Sequence, residues 1–162
     1  EFREEYKNII IKPLYGNGGS GVFYVKEDDK NFNSILEVFL EKSSDQFIIQ
    51  EYIEDIKRGD KRIILFNGEP VGAINRIPSD QDVRANLHVG GVAEKTYLTR
   101  KESKICKEIG PSLIEKGLVF AGIDVIGEKL TEINVTSPTG FREIFQFNNV
   151  NLAKKLLDVL LQ

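Results

Sequence analysis

The segment Gly16-Asn17-Gly18-Gly19-Ser20-Gly21 is followed by Val22-Phe23-Tyr24-Val25, and that order narrows what this chain can fold into. Phenylalanine, tyrosine and valine suit a pleated surface, so the glycines run into a strand. Ahead of them, Lys7 to Lys12 (K-N-I-I-I-K) is a short apolar run stopped by Pro13, which also reads as a buried strand. Gly16, Gly18 and Gly21 fit the G-x-G-x-x-G spacing, but a dinucleotide fingerprint must open a helix, and this loop joins two strands. A Walker A loop is excluded as well, since Gly21 is followed by Val22 and not by Lys and Ser/Thr.

Two readings of the loop remain. It is a flexible hairpin turn, or its backbone N–H groups close over a polyphosphate. Lys12 weights the second, because it ends the strand where an ammonium would meet phosphates under the loop. The kinase use of such a loop requires H-R-D and D-F-G segments, and the chain has neither.

The rest of the chain alternates hairpins and helices. Asn31 to Lys42 carries Phe32, Ile35, Leu36, Phe39 and Leu40 at helical offsets. Phe47 to Tyr52 is an apolar strand. Asp60 to Phe66 and Pro70 to Ile77 flank Asn67-Gly68, a strong hairpin signal. Ser79 to Gly91 is polar and reads as a mobile loop. Thr99-Arg100-Lys101-Glu102 is a capping box opening a helix to about Lys116, with Gly117 as its stop. Leu118 to Ile126 and Lys129 to Val135 form a second hairpin around Gly127-Glu128, and Asn151 to Leu161 is a last amphipathic helix. Hairpin-joined strands with three helices predict an α+β fold of antiparallel sheets and flanking helices. A division near residues 51–53 separates a small front part, 1–50, from a larger back part, 51–162.

Bulk composition excludes several functions. A chain of 162 residues, 41% of them hydrophobic, has enough apolar side chains for one core. Its net charge of -3 argues against general attraction to nucleic acid, while leaving room for local basic clusters that hold phosphate. The single cysteine, Cys106, permits no intrachain disulfide and points to a reducing, cytoplasmic setting. No apolar run approaches the roughly 20 residues that span a bilayer. The start is polar and acidic, without the pattern of a signal peptide. A chain without methionine is expected to be a piece of a longer protein.

The densest chemistry lies in the second hairpin. Asp124 interrupts the apolar strand Phe120-Ala121-Gly122-Ile123-Asp124-Val125-Ile126. Glu132 and Asn134 stand two apart on the next strand and so share a face. The Gly127-Glu128 turn folds Asp124 back beside them. Three oxygen ligands on one face suit Mg²⁺, which takes one or two carboxylates and shares its other positions with phosphates and water; alternating polar residues on a solvated face are the plainer explanation. Arg62, Arg76 and Arg84 are candidate clamps for a carboxylate or a forming acyl phosphate. His88 and Cys106 receive no catalytic role.

In this order the segments resemble the ATP-grasp ligases, and among them the bacterial glutathione synthetase family. The resemblance is carried by I-I-I-K-P-L-Y-G-N-G-G-S-G (9–21), Q-E-Y-I (50–53), G-D-K-R (59–62), R-I-P (76–78) and R-A-N-L-H-V-G-G (84–91). It continues through G-P-S-L-I-E-K-G-L (110–118), G-I-D-V-I-G (122–127) and T-E-I-N-V-T-S-P-T-G (131–140). It implies an ATP-grasp fold whose N-terminal domain is missing here. Lys12, Gly18, Gly19 and Ser20 would contact ATP phosphates; Glu51, Tyr52 and Ile53 would receive adenine; Asp60 would lie near the ribose. Asp124, Glu132 and Asn134 would hold Mg²⁺, or Mn²⁺ in its place. Arg62, Arg76 and Arg84 would be the catalytic arginines, Asn86 would border the substrates, and Ser137, Pro138 and Thr139 would border the glycine site. The implied reaction phosphorylates γ-glutamylcysteine and joins it to glycine, with no nucleic acid or membrane partner and a homo-oligomer at full length. The implied lid is loop 79–91, and the isolated piece is expected to be inactive. Two alternatives stay open: another ATP-grasp ligase adding an amino acid to a peptide or protein, and a non-catalytic nucleotide-binding module.

Overall fold

The computed structural model describes residues 1–16, 18–42, 46–79, 82 and 84–161. Asn17 of the Gly-rich loop and Asp80, Gln81 and Val83 of loop 79–91 lie outside the described residues.

Two antiparallel sheets are built in chain order. After a short helix α1 (Phe2–Tyr6), strands β1 (Ile9–Pro13), β2 (Phe23–Val25) and β3 (Phe47–Glu51) form a three-stranded sheet in the order β2-β1-β3, with helix α2 (Phe32–Lys42) between β2 and β3. Alternation along β1 sends Ile9 and Ile11 into a core with Val25 and Phe39, so Ile10 and Lys12 face away from α2.

The second sheet has five strands, ordered β6-β5-β4-β7-β8: β4 (Asp60–Phe66), β5 (Glu69–Ile77), β6 (Val92–Lys95), β7 (Phe120–Ile126) and β8 (Lys129–Asn134). Both hairpin turns have left-handed backbone at their two central residues, Asn67-Gly68 and Gly127-Glu128, the geometry that matches strand twist. Helix α3 (Arg100–Glu115) covers one face, burying Cys106 and Leu113 against Ile63, Leu65, Ala121 and Ile123. Its first turn is closed by the expected capping box, worth about 1 kcal/mol. Helices α4 (Phe141–Asn148) and α5 (Leu152–Leu160) cover part of the opposite face, setting Ile144 and Leu152 against Ile64, Phe66 and Ile74. The remainder of that face carries Asp60, Arg62, Arg76 and Asp124, and it looks toward the three-stranded sheet.

The expected antiparallel α+β architecture is observed. The helix count differs, with five α-helices among the described residues instead of three. Helix α1 is too short to show a period. Helix α4 has apolar residues at helical offsets, Phe141, Ile144 and Phe145, but Gly140 at its N-cap has no side chain to announce the start.

Candidate active site

A cleft of about 810 Å³ opens between the sheets. One wall is the face of β1 and β3 turned away from α2, which presents Lys12 and Gln50; the other is β8 and the segment 135–139 that follows it. The Gly-rich loop and residues 84–88 lie above, with Arg62 and Arg76 at the base. Every site residue named from the sequence lines this cleft except Asp124, which is 2% exposed and sits beneath the surface.

Strand register assembles the base. Asp60 stands opposite Arg76, Arg62 opposite Asp124, and Asp124 opposite Glu132. Arg62 donates from Nε and Nη2 to the two oxygens of Asp124 at 2.5 and 2.9 Å, and from Nη1 to the Thr139 carbonyl at 3.3 Å. Arg76 donates from Nη2 to Asp60 at 2.5 Å and lies 2.9 Å from Asp124 Oδ2. Two carboxylates and two guanidiniums are thus buried together, which limits the cost of taking each charge out of water. Burial pushes the Asp124 carboxyl up, but Arg76 and Arg62 outweigh it and hold it below the ordinary carboxylate range. For Asp60 the balance is reversed. Burial, joined by the charge of Asp124, pushes its pKa from 3.8 to about 7 against the pull of Arg76 and Arg62. One oxygen of Asp60, Oδ1, is buried without a hydrogen-bond partner among the described residues.

The donor set suits a hard cation. Glu132 is exposed to the cleft, Asn134 Nδ2 lies 3.5 Å from Asp124 Oδ2, and Lys12 Nζ is 3.8 Å from Glu132. Because Asp124 already serves two arginines, Glu132 and Asn134 have the readier oxygens, with Asp124 behind them. Two carboxylates and an amide fit the oxygen preference and low carboxylate count of Mg²⁺. Among the described residues, no trio of His, Cys, Asp or Glu could hold a metal on its own.

The two loops meet over the cleft. Arg84 donates from Nη1 to the Gly19 carbonyl at 2.8 Å, while Asp82 holds its Nε and Nη2 at 3.0 and 2.6 Å. Gly19 has φ +78°, and a Cβ there would stand 2.8 Å from Asn86 Oδ1. Glu51 pairs with Lys129 across the cleft at 2.9 Å, and the Tyr52 ring lies on Tyr24 with centroids 4.3 Å apart. Cys106 is buried under α3, and burial pushes its thiol up to about 11, so it supplies no thiolate.

Against this geometry, the family model for the ATP-grasp domain of prokaryotic glutathione synthetase matches residues 1–149. The chain belongs to that family. Curated relatives named glutathione synthetase include one from Mesorhizobium japonicum, 55% identical over 159 residues, covering 98% of this chain and 51% of the relative. Another, from Prochlorococcus marinus, is 46% identical over 161 residues, covering 99% of this chain and 52% of the relative. The chain therefore spans about half the length of the curated relatives it matches. Among solved structures, D-cycloserine synthetase DcsG superposes with a TM-score of 0.73 at 16% identity, covering 98% of this chain and 56% of its own. The D-alanine–D-alanine ligase of Bacillus anthracis complexed with ATP gives 0.66 at 18%, covering 99% and 53%. These two likenesses establish the fold.

Three residues of this glutathione synthetase ATP-grasp domain were not picked out from sequence. Gln50 Nε2 and Lys12 Nζ both donate to the Thr131 carbonyl at 3.4 Å, joining β3 and β1 to β8. Thr131 Oγ1 in turn donates to the Asp124 carbonyl at 3.1 Å. Asp82 anchors Arg84. Gln50 was legible only as the first polar residue after the apolar run Phe47-Ile48-Ile49, on the same strand face as Ile48. Thr131 acts mainly through its backbone, which leaves no residue-type signal.

Proposed function

We propose that this chain forms the ATP- and Mg²⁺-handling half of a ligase that joins γ-glutamylcysteine to glycine. The observation that carries the reading is the facing of Lys12 and Glu132 across a cleft covered by the Gly-rich loop, which sets a phosphate-seeking cation against a metal-seeking carboxylate. The 55% identity to proteins named glutathione synthetase supports the substrate pair.

In the reaction, the cysteinyl carboxylate takes the γ-phosphoryl group of ATP, giving an acyl phosphate and ADP. The glycine amine then attacks the acyl carbon, phosphate leaves, and the amine releases a proton. Lys12 and the N–H groups around Gly18, Gly19 and Ser20 bind the phosphates, and Arg84 draws the loop down by its bond to Gly19. Glu51, Tyr52 and Ile53 border the adenine, with Asp60 on the ribose side. Glu132 and Asn134, backed by Asp124, would hold Mg²⁺, which supplies charge neutralisation for the phosphate oxygens. Arg62 and Arg76 fix Asp124 and place positive charge below the reacting carboxylate. Ser137, Pro138 and Thr139 border the glycine, and Asn86 borders the substrates from the other side of the cleft mouth. Residues 1–50 act as the front lobe and 51–162 as the back lobe, and the reaction runs in the cytoplasm. Catalysis consists of positioning and charge stabilisation without a covalent enzyme intermediate.

The test is phosphate release by the full-length protein containing this chain. Release requiring ATP, Mg²⁺, γ-glutamylcysteine and glycine together establishes the function. Release with a different peptide and amine keeps the ligase and discards the substrates. ATP binding without release for any acceptor moves the chain to a nucleotide-binding module.

A further inference from the structure

Arg62 touches two parts of the site at once. Its Nε and Nη2 hold Asp124, and its Nη1 holds the carbonyl of Thr139. The segment 136–139 therefore hangs from the arginine that orients the proposed metal face. Its other attachment is steric. Pro138 is buried, and it occupies the space where a side chain on Gly122 would stand. A Cβ on Gly122 would lie 2.6 Å from Pro138 Cβ and 3.2 Å from both Pro138 Cγ and Arg62 Cδ. The first distance is closer than carbon atoms approach without a shift of one or the other. Gly122 has an ordinary strand setting, opposite Asn134 in the β7–β8 register, so its backbone does not require glycine. Packing does: a strand position normally gains from a side chain, and here its absence makes the seat for Pro138. Ser137, just before the proline, has φ +50°, a backbone that a non-glycine residue adopts only when its surroundings impose it.

We propose that Gly122 is a positioning residue for the amine-accepting side of the site. The gap on β7 lets Pro138 dock and Arg62 reach Thr139, and this holds Ser137 in its left-handed turn at the cleft edge. The inference rests on the functional reading above, in which Ser137, Pro138 and Thr139 border glycine, the amine substrate. Gly122 touches no substrate; it acts through Pro138. A side chain there moves the acceptor segment outward while leaving the Gly-rich loop and Lys12, on the other wall, in place.

The experiment compares full-length wild type, Gly122→Ala, Pro138→Gly and the double variant, reading kcat and the KM values for amine and for ATP. The expected result for Gly122→Ala is an amine KM raised on the order of tenfold with an ATP KM within about twofold of wild type. In the double variant both Pro138 contacts are gone and only Arg62 Cδ, 3.2 Å away on a flexible side chain, stays close, so its amine KM is expected to match that of Pro138→Gly alone. The two losses are then non-additive, as for groups in direct contact. An unmoved amine KM in folded Gly122→Ala, parallel rises in both KM values, or additive losses in the double variant would each overturn the proposal. If Gly122→Ala does not fold, recovery of folding in the double variant supports it and failure to recover overturns it. Wild type with no amine-dependent phosphate release removes the functional reading beneath it. Wild-type turnover with unselective variants removes this inference alone.

Discussion

Arg62 and Asp124 face each other in the register of β4 and β7, and the guanidinium grips both carboxylate oxygens in the sheet interior. The same carboxylate also neutralises Arg76. Asp124→Ala would leave two buried cations sharing only Asp60. Removing one partner of a buried ion pair costs about 3–5 kcal/mol, so urea denaturation of Asp124→Ala is expected to show a loss of that order. A loss under about 1 kcal/mol, the level of an exposed pair, would mean that water reaches the network.

Asp60 gives the network a pH signature. Its pKa is raised from 3.8 to about 7, chiefly by burial. A carboxyl raised on folding binds its proton more tightly in the native state. Its contribution to stability is therefore complete below the unfolded value and is lost as pH rises through the folded one. Asp60→Asn has no proton to titrate. The stability of wild type relative to Asp60→Asn is expected to fall between about pH 4 and pH 7 and to be level above that. Unfolding titrations of both proteins across this range check it, and a difference that rises with pH would contradict the assignment.

How much of this was legible in the sequence depends on how local each signal was. The turns at Asn67-Gly68 and Gly127-Glu128 fixed two hairpins, and the second brought Asp124 beside Glu132 as expected. The capping box at Thr99 set the start of α3. What the sequence did not reveal was the pairing of β4 with β7. These strands are separated by more than fifty residues, and no turn sets their register. Without that pairing, Arg62 and Asp124 read as a substrate clamp and a metal ligand, not as partners of each other. Gly122 was also invisible as a seat for Pro138, because only the packed structure shows what a missing side chain accommodates.

Two glycines of the same loop are expected to respond differently. Gly19 has φ +78°, and an added Cβ would stand 2.8 Å from Asn86 and 3.1 Å from Arg84. Gly16 would meet nothing within 4 Å among the described residues. Gly19→Ala carries the cost of a left-handed non-glycine residue, about 1–3 kcal/mol, and pushes Arg84 from its bond to the loop. It is expected to raise the KM for ATP, while Gly16→Ala leaves it within about twofold. Equal effects at the two positions would show that general loop flexibility, not the Arg84 contact, governs nucleotide binding.

Glu132 supplies the sharpest separation of stability from activity, because it faces Asp124 across β7 and β8 yet differs from it in burial. Its side chain is 46% exposed, and its partner Lys12 is held at 3.8 Å. Lys12 is only 15% exposed, but the carboxylate is open to water and the contact is long, so the pair contributes about 0–1 kcal/mol and Glu132→Ala is expected to unfold within about 1 kcal/mol of wild type. Its carboxylate oxygens are nevertheless the most accessible of the proposed metal set. Turnover of the full-length protein is expected to fall on the order of 100-fold or more, and the Mg²⁺ concentration needed for half-maximal rate to rise. Chelating the metal should reduce wild type to the level of the variant. A stable Glu132→Ala protein with unchanged Mg²⁺ dependence would exclude Glu132 from the metal set and leave its pairing with Lys12 as its main contact.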